Sequence, residues 1–110
     1  MTHQLLNQFD LKSGVEQSRF DTAWAAFAAY LVQEGLAQSV GPLFSRQPDS
    51  GYDTDGDRPH TLMSVITFAD RAQADLAWDA IEAREQPLGR LHAGVFGLVH
   101  DPVFTFWRTS

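Results

Sequence analysis

The chain is 110 residues long and carries one lysine and seven arginines against fourteen acids, a formal net charge of -6. That length allows one hydrophobic core, so residues 1–110 are expected to form one domain, and the acidic balance argues against nucleic acid and anionic membranes as partners, which need clustered Lys and Arg. Cysteine is absent, which excludes disulfides, thiolate catalysis and Cys-zinc sites; with no apolar run near the ~20 residues of a membrane span and no basic-then-apolar leader, the expected compartment is the cytoplasm.

Gln4–Leu11 alternates, with Leu5, Asn7, Phe9 and Leu11 in the row expected to face the core. Asn7 is a polar side chain in an apolar row. Lys12-Ser13-Gly14 closes this strand with turn residues. A helix is expected over Ser18–Leu36, capped by Ser18, with Asp21 on the positive end of its dipole. Phe20, Trp24, Phe27 and Leu31 form its apolar stripe, and Gly35 is placed to end it in the left-handed conformation.

Ser39–Arg46 reads as a short strand that Pro42 confines to a sheet edge. Gln47–Pro59, dense in Asp, Gly and Pro, reads as a long exposed loop. Its Asp53-Thr-Asp55-Gly-Asp57 run departs from the calcium-loop pattern. Arg58 stands where a Gly should, and Ser64 stands where a bidentate Glu should. A solvated acidic loop is the expectation.

Thr61–Ala83 is the stretch around which the rest is organised. Leu62, Ile66 and Phe68 lie on one side of a strand and Met63 and Val65 on the other, a pattern of burial on both faces that places it mid-sheet. Asp70 and Gln73 then open a second helix with capping-box spacing. Ala74, Ala77, Trp78 and Ile81 lie on one side of it, Ala72, Leu76, Ala80 and Ala83 on the other. Pro87 and Gly89 are expected to end that helix. Gly94–His100 is expected to be a strand, broken at Asp101-Pro102 by a bend or bulge and resumed over Val103–Arg108.

The expected class is α+β, in the order βαββαβ. Right-handed crossovers turn that order into a four-stranded antiparallel sheet with two helices on one face. The other face, with Leu6, Met63 and Val65, has no third layer to cover it. A second copy of the chain across a two-fold axis is the expected cover, giving a homodimer.

The element order, FDLKSG closing the first strand, RFDTAWAAFAAYL as the first helix, H-x-x-V at His92–Val95 and the aromatic ending FTFWR resemble the dimeric α/β-barrel superfamily. They resemble in particular small ferredoxin-like members that carry no assigned function. The resemblance implies sheets paired face to face. It also implies a choice among oxygenases without cofactor, haem-degrading enzymes, isomerases and domains without chemistry.

In the oxygenase branches it implies an Asn on the first strand, a Trp on the second helix and a His beyond it, positions held here by Asn7, Trp78 and His92. The amide would orient a ligand, the indole would form a flat wall, and the imidazole would act as base or axial ligand. Ser64, on the central strand, would add a second polar group for ligand binding. The competing reading makes Trp78 core, bonds Asn7 to backbone and leaves His92 capping a loop.

No metal site is expected from the four histidines, whose spacing matches no ligand pattern, and HExxH, GxSxG and phosphate-binding glycine motifs are absent. Trp24 and Trp107 are expected in core and interface. The functional expectation is therefore a homodimeric domain holding a small, mainly apolar organic molecule between sheet and helices, with no cofactor. The alternative is a cofactor-independent monooxygenase, or a haem-degrading oxygenase with haem as its cofactor.

Overall fold

Alternation along two central strands decides how everything else packs in the computed structural model, which describes residues 1–110. In β1 (His3–Leu11) the buried positions are Asn7 and Phe9, and in β4 (Leu62–Phe68) every second residue from Leu62 is buried. The two strands pair antiparallel, with Leu5 opposite Ile66, Asn7 opposite Ser64 and Phe9 opposite Leu62. Their inward rows therefore form one floor, and helices α1 (Gln17–Gln33), α2 (Arg71–Glu82) and α3 (Leu88–Phe96) roof it.

On the far side of β1 lies β5 (Val99–Arg108), antiparallel, with Asn7 opposite Phe104. The outer edge of β4 carries β2 (Ser39–Val40) and β3 (Phe44–Ser45), two two-residue strands. Gly41-Pro42-Leu43 separates them, because proline has no N–H to give the ladder. The class is α+β and ferredoxin-like. The single edge strand expected is two fragments, so the sheet has five strands instead of four.

α1 buries Phe20, Trp24, Phe27 and Leu31, the stripe read from the sequence. Its cap is not Ser18: the backbone N–H groups of Arg19 and Phe20 both donate to Glu16 O, so the helix begins at Glu16 and Ser18 falls in its first turn. At the other end Gly35 has φ +69°. Leu36 N donates to Leu31 O (2.8 Å) and Gly35 N to Val32 O (3.2 Å), the paired bonds of a Schellman ending. Asp70 accepts from Gln73 N (2.8 Å) to cap α2, and Gln73 Oε1 accepts from Ala69 N in return. Gln73 Nε2 also donates to Gly35 O (2.9 Å), which ties the start of α2 to the end of α1.

Gly94–His100 is not a strand. Leu88, Leu91, His92 and Val95 recur at helical spacing, and Leu88–Phe96 forms α3 with Leu88 and Val95 buried. Strand structure starts only at Val99 and runs unbroken to Arg108. Asp101, at φ +53°, marks the expected bulge, where the β1–β5 register shifts between Gln8 and Asp10.

The molecule is a slab of 39 × 38 × 19 Å, one sheet and one helix layer thick. Its open sheet face presents Leu6, Met63, Val65 and Val103, with Trp107 59 % and Phe44 44 % exposed. Four of the polar side chains on this face bond in pairs: Trp107 Nε1 donates to Thr105 Oγ1 (2.8 Å) and Gln4 Nε2 to Thr67 Oγ1 (3.5 Å).

Candidate functional site

A cavity of about 350 Å³ lies between the sheet and the helices. Its floor is Leu5, Asn7, Ser64, Ile66, Phe68 and Phe104, contributed by three adjacent strands. α1 supplies Trp24, Phe27 and Leu31, α2 supplies Ala77, Trp78, Ile81 and Glu82, and α3 supplies His92 and Phe96. Six aromatic rings line it, and Glu82 is the one formally charged residue among them. A pocket with apolar walls and a few polar groups is the usual form of a small-molecule site.

Each polar residue has a local reason to be there. Asn7 and Ser64 are cross-strand partners, 4 % and 1 % exposed, so the floor holds an amide and a hydroxyl side by side. Asn7 Oδ1 is buried and has no hydrogen-bond partner. Leaving such a group unpaired costs about 1–3 kcal/mol. His92 is half-buried on α3, its ring 4.7 Å from that of Phe96 and edge-on to Phe27 at 5.9 Å. Burial lowers its pKa from the ordinary 6.5, because the low-dielectric walls penalise the imidazolium. The neutral ring is thus an available base. Trp78 packs edge-on to Phe106 (4.8 Å) and Phe68 (6.3 Å), and the Arg71 guanidinium lies 5.8 Å from its ring.

All four residues singled out in the sequence, Asn7, Ser64, Trp78 and His92, line this one cavity. Two elements of the competing reading do not hold. The Asn7 carbonyl oxygen bonds to no backbone group, and His92 sits within a helix instead of capping a loop. Trp24, Phe96 and Phe104 also line the cavity and were not expected there. Phe104 follows from strand register with Asn7, whereas Phe96 required recognising α3.

A second hollow, of about 620 Å³, lies under the 47–59 loop, and its chemistry differs. Arg46 holds the loop from inside. Its Nε and Nη2 donate to both carboxylate oxygens of Asp53 (2.8 and 2.7 Å), Nη2 donates to Asp55 O, and Nη1 donates to Arg58 O and His60 O. The Arg46 hydrogen bonds hold the Asp53 carboxyl below the usual carboxylate range. Asp55 is lowered in the same way by Arg58. These acids are partnered by arginines, and no cluster of His, Asp and Glu is arranged to hold a metal ion. Buried His60 donates from Nε2 to Asp101 O (2.8 Å), which joins the loop's end to the β5 bulge.

No protein-family model matches the sequence, and no curated protein matches it. Solved structures do match. A variant of SnoaB, a cofactor-independent oxygenase from Streptomyces nogalater, superposes with a TM-score of 0.70 at 10 % identity over 98 % of this chain and 92 % of that one. A protein from Arabidopsis thaliana gives a TM-score of 0.76 at 8 % identity over 100 % and 96 %. A dimeric ferredoxin-like protein of unknown function from Thermobifida fusca gives 0.63 at 9 % identity over 99 % and 92 %. The fold is the ferredoxin-like one that these structures share. At such identities the likeness is one of fold, and activity has to be argued from the site.

Proposed function

We propose that this chain forms a homodimer through its open sheet face and binds a small, mainly apolar organic molecule in the cavity between sheet and helices. The observation that carries the binding reading is Asn7: its Oδ1 is buried and unpaired on the floor of an aromatic-walled cavity, beside Ser64 and opposite neutral His92 and Trp78. A hydroxyl or N–H on the ligand would satisfy it, while the rings take up the apolar body. Titration with 1-naphthol, followed by tryptophan fluorescence, should saturate. Naphthalene, with no hydroxyl, should bind more weakly by roughly two- to tenfold. Equal binding of the two would remove Asn7 from the site, and no binding of either would remove the reading.

Support for the dimer comes from the apolar content of the open face, from polar groups there that are already paired with one another, and from the T. fusca protein being described as dimeric. Sedimentation should give a mass near twice 12.3 kDa. A monomer at micromolar concentration contradicts it.

A second reading, a cofactor-independent oxygenase, is supported by the fold shared with SnoaB and by His92 being kept neutral. His92 would remove a proton from an activated methylene, and the Asn7 amide would hold the oxygen on which the resulting negative charge settles. Conversion of that methylene to a carbonyl, with dioxygen consumed and one water released, balances in oxygen and electrons without a cofactor. Haem, the other possibility in this branch, fits the lining poorly: the wall offers no Arg or Lys for its carboxylates, and Glu82 would repel them. Oxygen uptake with anthrone tests the oxygenase reading. His92→Ala should lower the rate by about a hundredfold or more, and uptake no faster than in buffer would end the reading while leaving ligand binding intact.

A further inference from the structure

We infer that Trp24 is a ligand-binding residue of this cavity, its indole N–H donating to a neutral oxygen of the bound molecule from the α1 side. The inference rests on the reading of the cavity as a binding site. Trp24 is 7 % exposed and lines the cavity, and its Nε1 is buried without a partner. An indole nitrogen can only donate, so it needs an acceptor. Solvent does not supply one, because the atom is closed to water. A ligand oxygen that enters the cavity and displaces the rings around Nε1 would supply one.

Packing alone does not call for this N–H. Phe20 and Phe27, on the same stripe of α1, fill their places with no polar atom. Trp24 stacks on Phe20 (6.0 Å, 14° between planes) and tilts against Phe27 (5.7 Å), and Phe at 24 could hold a comparable aromatic contact. Four buried side-chain polar atoms in the chain lack partners. Those of His3 and His60 lie outside this cavity, while Asn7 Oδ1 and Trp24 Nε1 both belong to residues that line it. One floor residue and one roof residue thus each carry an unmet hydrogen-bonding group, an acceptor on Asn7 and a donor on Trp24. With Glu82 as the only charge on the wall and no cation, the oxygen that meets Trp24 is that of a carbonyl, ether or hydroxyl, and not a carboxylate or phosphate.

The test compares 1-tetralone, an aromatic ketone, with tetralin, the same skeleton without oxygen. It uses ¹⁵N-labelled protein, whose three indole N–H signals are assigned with Trp24→Phe and Trp78→Phe. Tetralone should shift the Trp78 and Trp24 signals, with the Trp24 proton moving downfield. Tetralin should shift Trp78 and leave Trp24 without the downfield move. Trp24→Phe should weaken tetralone roughly two- to tenfold and tetralin little. If Trp78 responds to both probes and Trp24 behaves alike with both, the cavity binds ligands and the Trp24 inference is wrong. If no indole responds to either probe, the binding reading fails and the inference with it. Should Trp24→Phe not fold, Trp107→Phe completes the assignment with Trp78→Phe, and the two titrations of the wild-type protein still decide.

Discussion

The two hollows of this molecule are built from opposite materials. Under the 47–59 loop, one arginine is enclosed by acceptors: Arg46 reaches Asp53 twice and the carbonyls of Asp55, Arg58 and His60. Its hydrogen-bonding capacity is used up in holding the loop. Between the sheet and the helices, six aromatic rings surround an amide oxygen and an indole N–H that bond to nothing. The larger hollow leaves one buried polar atom unmet, Nδ1 of His60, whereas two residues lining the smaller leave one each. Unmet hydrogen bonds in an apolar setting are costly to folding. Their concentration in the smaller cavity is why that cavity, and not the larger one, is read as the site.

Substitutions should separate the two regions most sharply in stability. Phe27 is 2 % exposed and packs against Trp24, His92 and Phe96. Phe27→Ala should cost about 3–5 kcal/mol in urea unfolding. Tyr52, 98 % exposed on the loop, should change stability by less than about 0.5 kcal/mol when replaced by Ala. A large loss at Tyr52 would mean that the loop is held by more than Arg46.

Next in size is a substitution that should stabilise. Asn7→Leu replaces an unpaired buried amide with an apolar group on an apolar floor, and should raise stability by about 1–2 kcal/mol while weakening 1-naphthol. A loss of stability would mean that the amide is satisfied, most simply by ordered water.

The third difference is one of pH. The pKa of His92 is lower folded than unfolded, so the unfolded chain takes up its proton first as pH falls. Stability should therefore fall as pH drops from about 6.5 toward the folded-state value and level off below it. His92→Phe should flatten that slope in urea melts at pH 5–8. If the slope persists unchanged, another group causes it. By contrast Asp53, lowered by Arg46, contributes stability above its unfolded pKa of about 3.9, which is lost only as pH falls through its lower folded value.

The last difference is local to the loop and is tested by Arg46→Met. The substitution should free the 47–59 loop for cleavage by proteinase K and leave 1-naphthol binding unchanged. Loss of binding would show that the two regions are coupled.

Both central strands were legible because a period of two leaves little choice of face. Once Leu5 and Phe9 point inward, so must Asn7, and Ser64 follows from Leu62 and Ile66. α1 was legible for the same reason at helical period. α3 was not. Val95-Phe96-Gly97-Leu98-Val99 is a short apolar run that suits a strand by composition, and Gly94 and Gly97 weaken the helical signal. The pattern that decides, Leu88, Leu91 and Val95, begins before that run, in a segment assigned to helix termination. Trp24 was legible as a buried residue but not as a site residue. A place in an apolar stripe says that a ring is inside, and nothing about whether its N–H finds an acceptor.

The account turns on whether the unpaired amide on the cavity floor is kept for a ligand. The direct measurement is the melting temperature of wild type and Asn7→Leu, each with and without saturating 1-naphthol. We expect wild type to melt lower when empty and to rise on adding naphthol, and Asn7→Leu to start higher and move little. A wild-type protein that does not respond, or two proteins that respond equally, would contradict it.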